Sequence, residues 1–215
     1  MPLIARTFAA HYPDRELSPH PDHHIVLCGG LEVGGFHRMG GGPNEGRWSW
    51  GATLGGGNAD FIARGYASHG HVCRTLIALA FRRMLAKAEL RERPDAQPGP
   101  PRRAPEASII EPSEPSRPYD RDADRRLGGM QRNELRRAVR SGELTVGTLT
   151  RSTHGDERWS WSPSGLHLPD DPDFVWHGEA DTEQEAFEQF ERCWSRWLDW
   201  AGLEQVGELQ HGAKR

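Results

Sequence analysis

Two tetrapeptides hold the side chains best suited to touching another molecule. Arg47-Trp48-Ser49-Trp50 and Arg158-Trp159-Ser160-Trp161 each alternate an indole with a polar group. In an extended strand, successive side chains point to opposite faces. Trp48, Trp50, Trp159 and Trp161 then share the same face, where they could stack on bases or sugars or pack beneath a helix. Packing is the expectation, because indole burial is the main stabiliser open to a small sheet. Arg47, Ser49, Arg158 and Ser160 fall on the other face, with Ser162 beside them, and are the candidate binding residues.

Other groups with chemical potential are weaker. His69, His71 and Cys73 are residue types that ligate zinc, but side chains two apart on a helix do not share a face. The second tetrapeptide's surroundings carry Thr182, Gln184 and Ala186 at the matching places. His20, His23 and His24 read as a solvated segment before a strand. Gly40-Gly41-Gly42 and Gly55-Gly56-Gly57 lack the strand–loop–helix context of a phosphate cradle and read as permissive loops. No metal or cofactor is expected. No nucleophile–base pairing stands out, so the chain is expected not to be an enzyme. An enzymatic reading would need a polar pocket with convergent titratable residues where two halves of the chain meet.

The tetrapeptides sit inside a longer internal repeat, which is to be sought before other features. Residues 25–34 run against 138–147 and residues 65–85 against 178–198, both without a gap. The decisive match is a helix face. Cys73, Ile77, Ala80, Phe81, Met84, Leu85 and Ala88 are spaced as one apolar stripe. Ala186, Phe190, Cys193, Trp194, Trp197, Leu198 and Ala201 repeat that spacing with different identities. The expected structural core is therefore Trp48, Trp50, Ile77, Phe81, Met84, Trp159, Trp161, Phe190, Trp194 and Trp197.

Each copy reads as a hairpin, a third strand carrying Trp-Ser-Trp, and one helix. The hairpin turns lie at Gly29-Gly30 and Ser141-Gly142. A short fourth strand is expected at 61–64 and 174–176. Ser68 and Asp181 are the expected helix N-caps. The first helix is expected to run to about Arg91 and the second to stop near Gly202. The fold class is thus α+β: two tandem β-β-β-α units, each a small antiparallel sheet covered by one helix. A unit of about 65–70 residues has little surplus stability, so the two are expected to pack together as a pseudo-dimer.

Composition sets the boundaries. Only 35% of the 215 residues are hydrophobic, below the globular average of about 45–50%. Residues 92–130 hold half of the prolines and almost no apolar side chains, and read as a disordered linker. The organisation is an N-terminal arm (1–22), unit 1 (23–91), the linker (92–130), unit 2 (131–206) and a flexible tail (207–215). No stretch is apolar enough to span a membrane, and the N-terminus lacks a secretory pattern, so the cytoplasm is expected. Cys28, Cys73 and Cys193 imply no disulfide framework.

Net charge divides along the chain. Residues 1–91 carry ten basic and seven acidic side chains, whereas 131–215 carry ten and sixteen. The acidic second unit is a poor match for a phosphate backbone. A nucleic acid could bind only through the first unit, with Arg38, Arg47, Arg64, Arg74, Arg82 and Arg83.

Trp159-Ser160-Trp161 followed by Gly178-Glu179-Ala180-Asp181-Thr182-Glu183-Gln184-Glu185-Ala186 resembles a short repeat of uncharacterised bacterial proteins. In that repeat a W-x-W strand precedes a G-x-A-x-T-x-x-E-A helix entry. The first copy keeps Gly65, Ala67 and the tryptophans but lacks the Thr-x-x-Glu-Ala entry. The strand-then-helix pattern is also similar to HicB-like antitoxin domains and the AP2-like N-terminal domains of phage integrases. These resemblances imply a small α+β binding fold and no catalytic residue. The expected function is regulatory or interaction work, with another protein as partner and nucleic acid as the alternative.

Overall fold

The computed structural model describes residues 3–13, 22–55, 59–95, 136–152, 157–169, 171 and 173–213. Beyond residue 95 the expected linker lies outside the described residues, as does His20. The chain is α+β with antiparallel sheets.

The first sheet begins in the expected arm. β1 (Ile4–Thr7) leads into one helical turn, α1 (Phe8–His11), whose first amides are met by the Thr7 hydroxyl accepting from Ala10 N. β2 (His24–Cys28), β3 (Leu31–Arg38), β4 (Trp48–Thr53) and β5 (Ile62–Ala67) follow, in the order β1-β2-β3-β4-β5. Helix α2 (Gly70–Lys87) packs on β3, β4 and β5, and β6 (Leu90–Glu92) ends this half. The second half has β7 (Arg136–Ser141), β8 (Leu144–Arg151), β9 (Trp159–Pro163) and β10 (Gly178–Ala180). Helix α3 (Glu183–Ala201), β11 (Leu203–Gln205) and β12 (Leu209–Ala213) complete it. The sheet order there is β10-β9-β8-β7-β12.

Local rules explain the shared features. The β2–β3 turn needs Gly29 at φ +52°, and the β7–β8 turn needs Gly142 at φ +52°. The second turn thus uses Gly142-Glu143, one residue later than expected. Each hairpin also carries a β-bulge. Pairing moves from Val26↔Gly34 to Leu27↔Glu32, and from Val139↔Gly147 to Arg140↔Thr145. The extra residues are Val33 and Val146. The bulge breaks strict alternation, so Leu31, Val33 and Phe36 are all buried, as are Leu144, Val146 and Leu149.

Several sequence expectations are corrected. The fourth strands lie later, at Ile62–Ala67 and Gly178–Ala180, because Gly65 and Gly178 pair with Trp50 and Trp161. A side chain on either glycine would press on the neighbouring indole, a Cβ lying 3.1 Å from Trp50 Nε1 or 2.7 Å from Trp161 Nε1. The N-caps are His69 and Thr182 rather than Ser68 and Asp181. Thr182 works as a cap, its hydroxyl accepting from Glu185 N at 3.1 Å, whereas His69 makes no side-chain cap bond. Helix α2 stops at Lys87, four residues early, because the chain reverses at Glu89 to form β6. The tail is not free: β12 pairs with β7 over five residues.

The two halves meet through matched backbone contacts. Gly30 N donates to Trp200 O at 2.9 Å, and Glu143 N to Lys87 O at 2.9 Å. Arg93 N donates to Gly202 O at 2.9 Å, and Val206 N to Glu89 O at 2.8 Å. β6 and β11 pair antiparallel, with Arg91 opposite Glu204. Buried apolar side chains from both halves form one continuous cluster that includes Phe81, Met84, Phe190 and Trp197. A second cluster, Phe8, Tyr12, Ile25 and Leu27, covers the other side of β2.

Gly202 and Glu89 both take a left-handed conformation after their helices, at φ +68° and +54°. Glycine bears this at no steric cost, whereas an L-residue loses about 1–2 kcal/mol. Glu89→Gly is therefore expected to raise stability by about 1 kcal/mol, and Gly202→Ala to lower it by a similar amount. Urea unfolding midpoints of the two variants would check both signs.

Candidate binding face on the first sheet

The tryptophans lie on the helix side of their sheets. Trp161 is buried, while Trp48, Trp50 and Trp159 are half-buried and pack against the core. Trp161 Nε1 donates to Gln189 Oε1 at 2.8 Å. At the matching place on α2 stands Leu76, and Trp50 Nε1 has no partner among the described residues. With the indoles turned toward α2 and α3, the opposite faces are what each sheet offers to other molecules.

Those two faces differ in chemistry. On the second sheet, Arg136, Thr150, Ser160 and Glu179 form one row across the strands. Arg158 is held there by acids, with Nε on Asp181 at 3.1 Å and Nη1 on Glu179 at 3.4 Å. Ser160 donates to Thr150 O. On the first sheet the matching positions lack the acids. Tyr66 stands where the second sheet has Glu179, and the Arg47 guanidinium lies 5.5 Å from the Tyr66 ring centre. Ser49 sits between His37 and Tyr66 in one row. The next row runs Ile25, Gly35, Gly51, Arg64, so two glycines leave a shallow floor between flanking side chains.

Among the described residues the sheet ends in β5, which pairs only with β4. Its outward side chains are Ile62, Arg64 and Tyr66. Ile62 is 51% exposed and Tyr66 47%, large values for apolar and aromatic groups on an edge strand. Sequence reasoning placed Arg47 and Ser49 on this face. It missed Ile62, Arg64 and Tyr66 as a set because it put the fourth strand too early. Alternation from Gly65 would have found them.

A second feature was missed altogether. Glu32, on the same face, accepts from the Tyr12 hydroxyl and pairs with His11 Nε2 at 2.9 Å. His11 is buried. Beside Glu32 opens a cavity of about 490 Å³, lined by residues of β2, β3 and β4 together with Gly165, Leu166 and His167 of the second half. No local spacing announces this meeting of residues about twenty positions apart.

No protein-family model, curated protein or solved structure matches this chain. Function is therefore read from the geometry alone.

The remaining candidates take ordinary structural places. His69 and His71 lie ring to ring at 5.4 Å beside the buried Cys73, and no group of three metal-ligating side chains occurs among the described residues. His23 stacks on Phe8 and His24 on Phe36. A Cβ at Gly40 or Gly41 would meet nothing within 4 Å, whereas one at Gly55 would lie 2.1 Å from Gly165 O. No helix among the described residues is long and apolar enough to cross a membrane.

The thiols are chemically quiet. Burial raises Cys28 from the ordinary 9.0 to about 12, helped by the nearby Glu92 charge. Burial likewise raises Cys193 to about 11, against a smaller opposing pull from Arg196. The native state thus holds thiol protons that the unfolded state releases. The resulting stability is complete below pH 9 and is lost as pH rises toward 11–12. A thiol-specific reagent at neutral pH is expected to label the native protein negligibly and all three cysteines after unfolding. The unfolding midpoint should fall steeply above pH 9, less so in Cys28→Ser.

Proposed function

We propose that the chain is a non-catalytic binding protein: two diverged copies of one β-β-β-α unit, closed on each other as an internal two-fold pair. It takes up another protein along the outer face and open edge of the first sheet. The observation that carries this reading is the β5 edge, six residues long, with Ile62 and Tyr66 exposed and Arg64 between them. An extended segment can add to such an edge, gaining main-chain hydrogen bonds and placing alternate side chains in contact. Arg64 and Arg47 favour an acidic segment. The corresponding edge of the second sheet is β10, three residues long, where Glu179 is already paired with Arg158.

The alternative partner, nucleic acid, gains less support. The arginines of the first half do not share a surface. Arg74 donates to Leu3 O, and Arg82 pairs with Glu92. Both belong to α2, on the far side of the sheet from Arg47 and Arg64.

The internal pair rests on the matched contacts of the seam and on the offset they share. Gly30 and Glu143 differ by the same number of positions as Lys87 and Trp200, and as Glu89 and Gly202. Residues 1–95 and 136–215, produced as separate chains in one cell, are expected to copurify one to one. Each produced alone is expected to aggregate or to pair with itself. A stable monomeric fragment would refute the pairing.

The binding reading is tested by affinity capture. The immobilised full-length chain is exposed to nuclease-treated lysate of its source cells. A protein is expected to be retained, with affinity reduced about tenfold or more in Ile62→Glu/Tyr66→Glu and unchanged in Arg158→Ala. In a parallel capture from untreated lysate, retention of nucleic acid alone, falling steeply with salt, would replace this reading with the alternative.

A further inference from the structure

Along β5, backbone and side chains are in phase. In an antiparallel pair, residues that exchange hydrogen bonds with the neighbouring strand alternate with residues whose N–H and C=O point away from it. Leu54 N donates to Phe61 O at 3.1 Å, in line with the β4–β5 register. Ala63, Gly65 and Ala67 are then the residues of β5 that bond to β4. Met39 N donates to Arg47 O at 2.8 Å, in line with the β3–β4 register. That bond turns Arg47, Ser49 and Gly51 toward β3 and leaves the intervening residues of β4 for β5, as the first bond requires. Ile62, Arg64 and Tyr66 therefore direct both backbone groups to the open edge. They are also the residues whose side chains lie on the outer face.

The second half closes the equivalent edge with its own side chain. Gln189 Nε2 donates to Glu179 O at 3.5 Å, and Glu179 holds the place of Tyr66. Leu76 stands in the first half at the position of Gln189 and has no donor to offer the Tyr66 carbonyl. It is half-buried and packs against the core, so its place on α2 gives the open edge an apolar flank.

Charge supplies the remaining preference. Arg64 is exposed and makes no ion pair among the described residues. The acid nearest to β5 in the chain, Asp60, pairs with Lys87 at 3.6 Å. Side chains directly opposite in an antiparallel pair interact, favourably for opposite charges and unfavourably for like ones. A strand added to β5 would thus meet an apolar group at each end of its contact and a cation in the middle.

We propose that β5 recognises an antiparallel strand with an acidic residue opposite Arg64 and apolar residues two positions to either side, opposite Ile62 and Tyr66. Every neighbouring pair in the first sheet is antiparallel, and that pairing is the more stable per residue. The acidic and apolar residues of the added strand exchange main-chain bonds with β5, while the residues between them turn their side chains toward Leu76. This inference rests on the reading of β5 as the binding edge and specifies what that edge selects.

The test titrates the full-length chain into a labelled capped peptide, Gly-Ser-Val-Thr-Glu-Thr-Val-Ser-Gly, at low salt, followed by fluorescence anisotropy. The peptide with lysine in place of the central glutamate is expected to bind about three- to tenfold more weakly. Arg64→Glu, a change at an exposed side chain, is expected to reverse that order. N-methylation of the glutamate amide is expected to weaken binding about tenfold or more, and N-methylation of either threonine amide to leave it unchanged. The methylation arm needs no variant of the protein. Equal binding of the two peptides would overturn the proposal. So would an order that Arg64→Glu leaves in place, a loss on threonine rather than glutamate methylation, or no peptide binding at millimolar protein. Should the peptide arms fail while a captured protein is still lost in Ile62→Glu/Tyr66→Glu, only this inference falls and β5 remains the binding edge. A captured protein retained by that double variant would remove the edge reading itself and this inference with it.

Discussion

A helix ends with carbonyls that find no amide within it, and a buried end must be satisfied from outside. In this chain the end of each long helix is met by the hairpin turn of the other half. Gly30 N reaches Trp200 O, and Glu143 N reaches Lys87 O. The fit leaves no room at the turns: a Cβ on Gly29 would lie 2.7 Å from the Ala201 backbone, and one on Gly142 would lie 2.3 Å from Lys87 O. Glycine is required at both turns for two reasons, the left-handed backbone and the opposing helix end. From these contacts follow the chain reversals at Glu89 and Gly202, the β6–β11 ribbon and the single core that runs through both halves.

What the sequence disclosed depended on how local the signal was. The helix stripes were legible because seven apolar positions recur with one spacing in each copy, and periodicity needs no knowledge of the partner. The hairpins were legible because Gly29 and Gly142 mark turns. β6 and β11 were not, since each has three residues and exists because the other does. β1 and β12 were hidden for a similar reason. Both join the same edge of their sheets, one supplied from before the unit and the other from after it, so no repeat alignment reveals the equivalence. Bulges at Val33 and Val146 also blurred the period-two pattern of β3 and β8. The candidate face was half legible: Arg47 and Ser49 follow from alternation, whereas the meeting of His11, Tyr12 and Glu32 is a product of tertiary folding.

The two halves differ in the partners they give to side chains at matching positions. The indole of Trp161 has Gln189, while that of Trp50 has no hydrogen-bond partner among the described residues, the position matching Gln189 being Leu76. Arg158 is neutralised by Glu179 and Asp181, while Arg47 lies over Tyr66. Each exchange moves the second half toward internal satisfaction and leaves the first half with groups suited to outside contact.

Stability and the Glu32 cavity are consequently linked. A unit of about 65–70 residues with one helix on one sheet has little surplus stability, and here the two halves share one core. Closure brings Gly55 against Gly165, where a Cβ on Gly55 would lie 2.1 Å from Gly165 O. The backbones touch there, but the side chains beside them do not fill the adjoining space, and the cavity opens at that point. An unfilled gap would normally be a defect, its walls losing contacts on one side. Here one wall carries a carboxylate held by two buried donors. The contact that completes the fold therefore also brings Gly165, Leu166 and His167 into the cavity's lining, and neither half of the chain could form that cavity by itself.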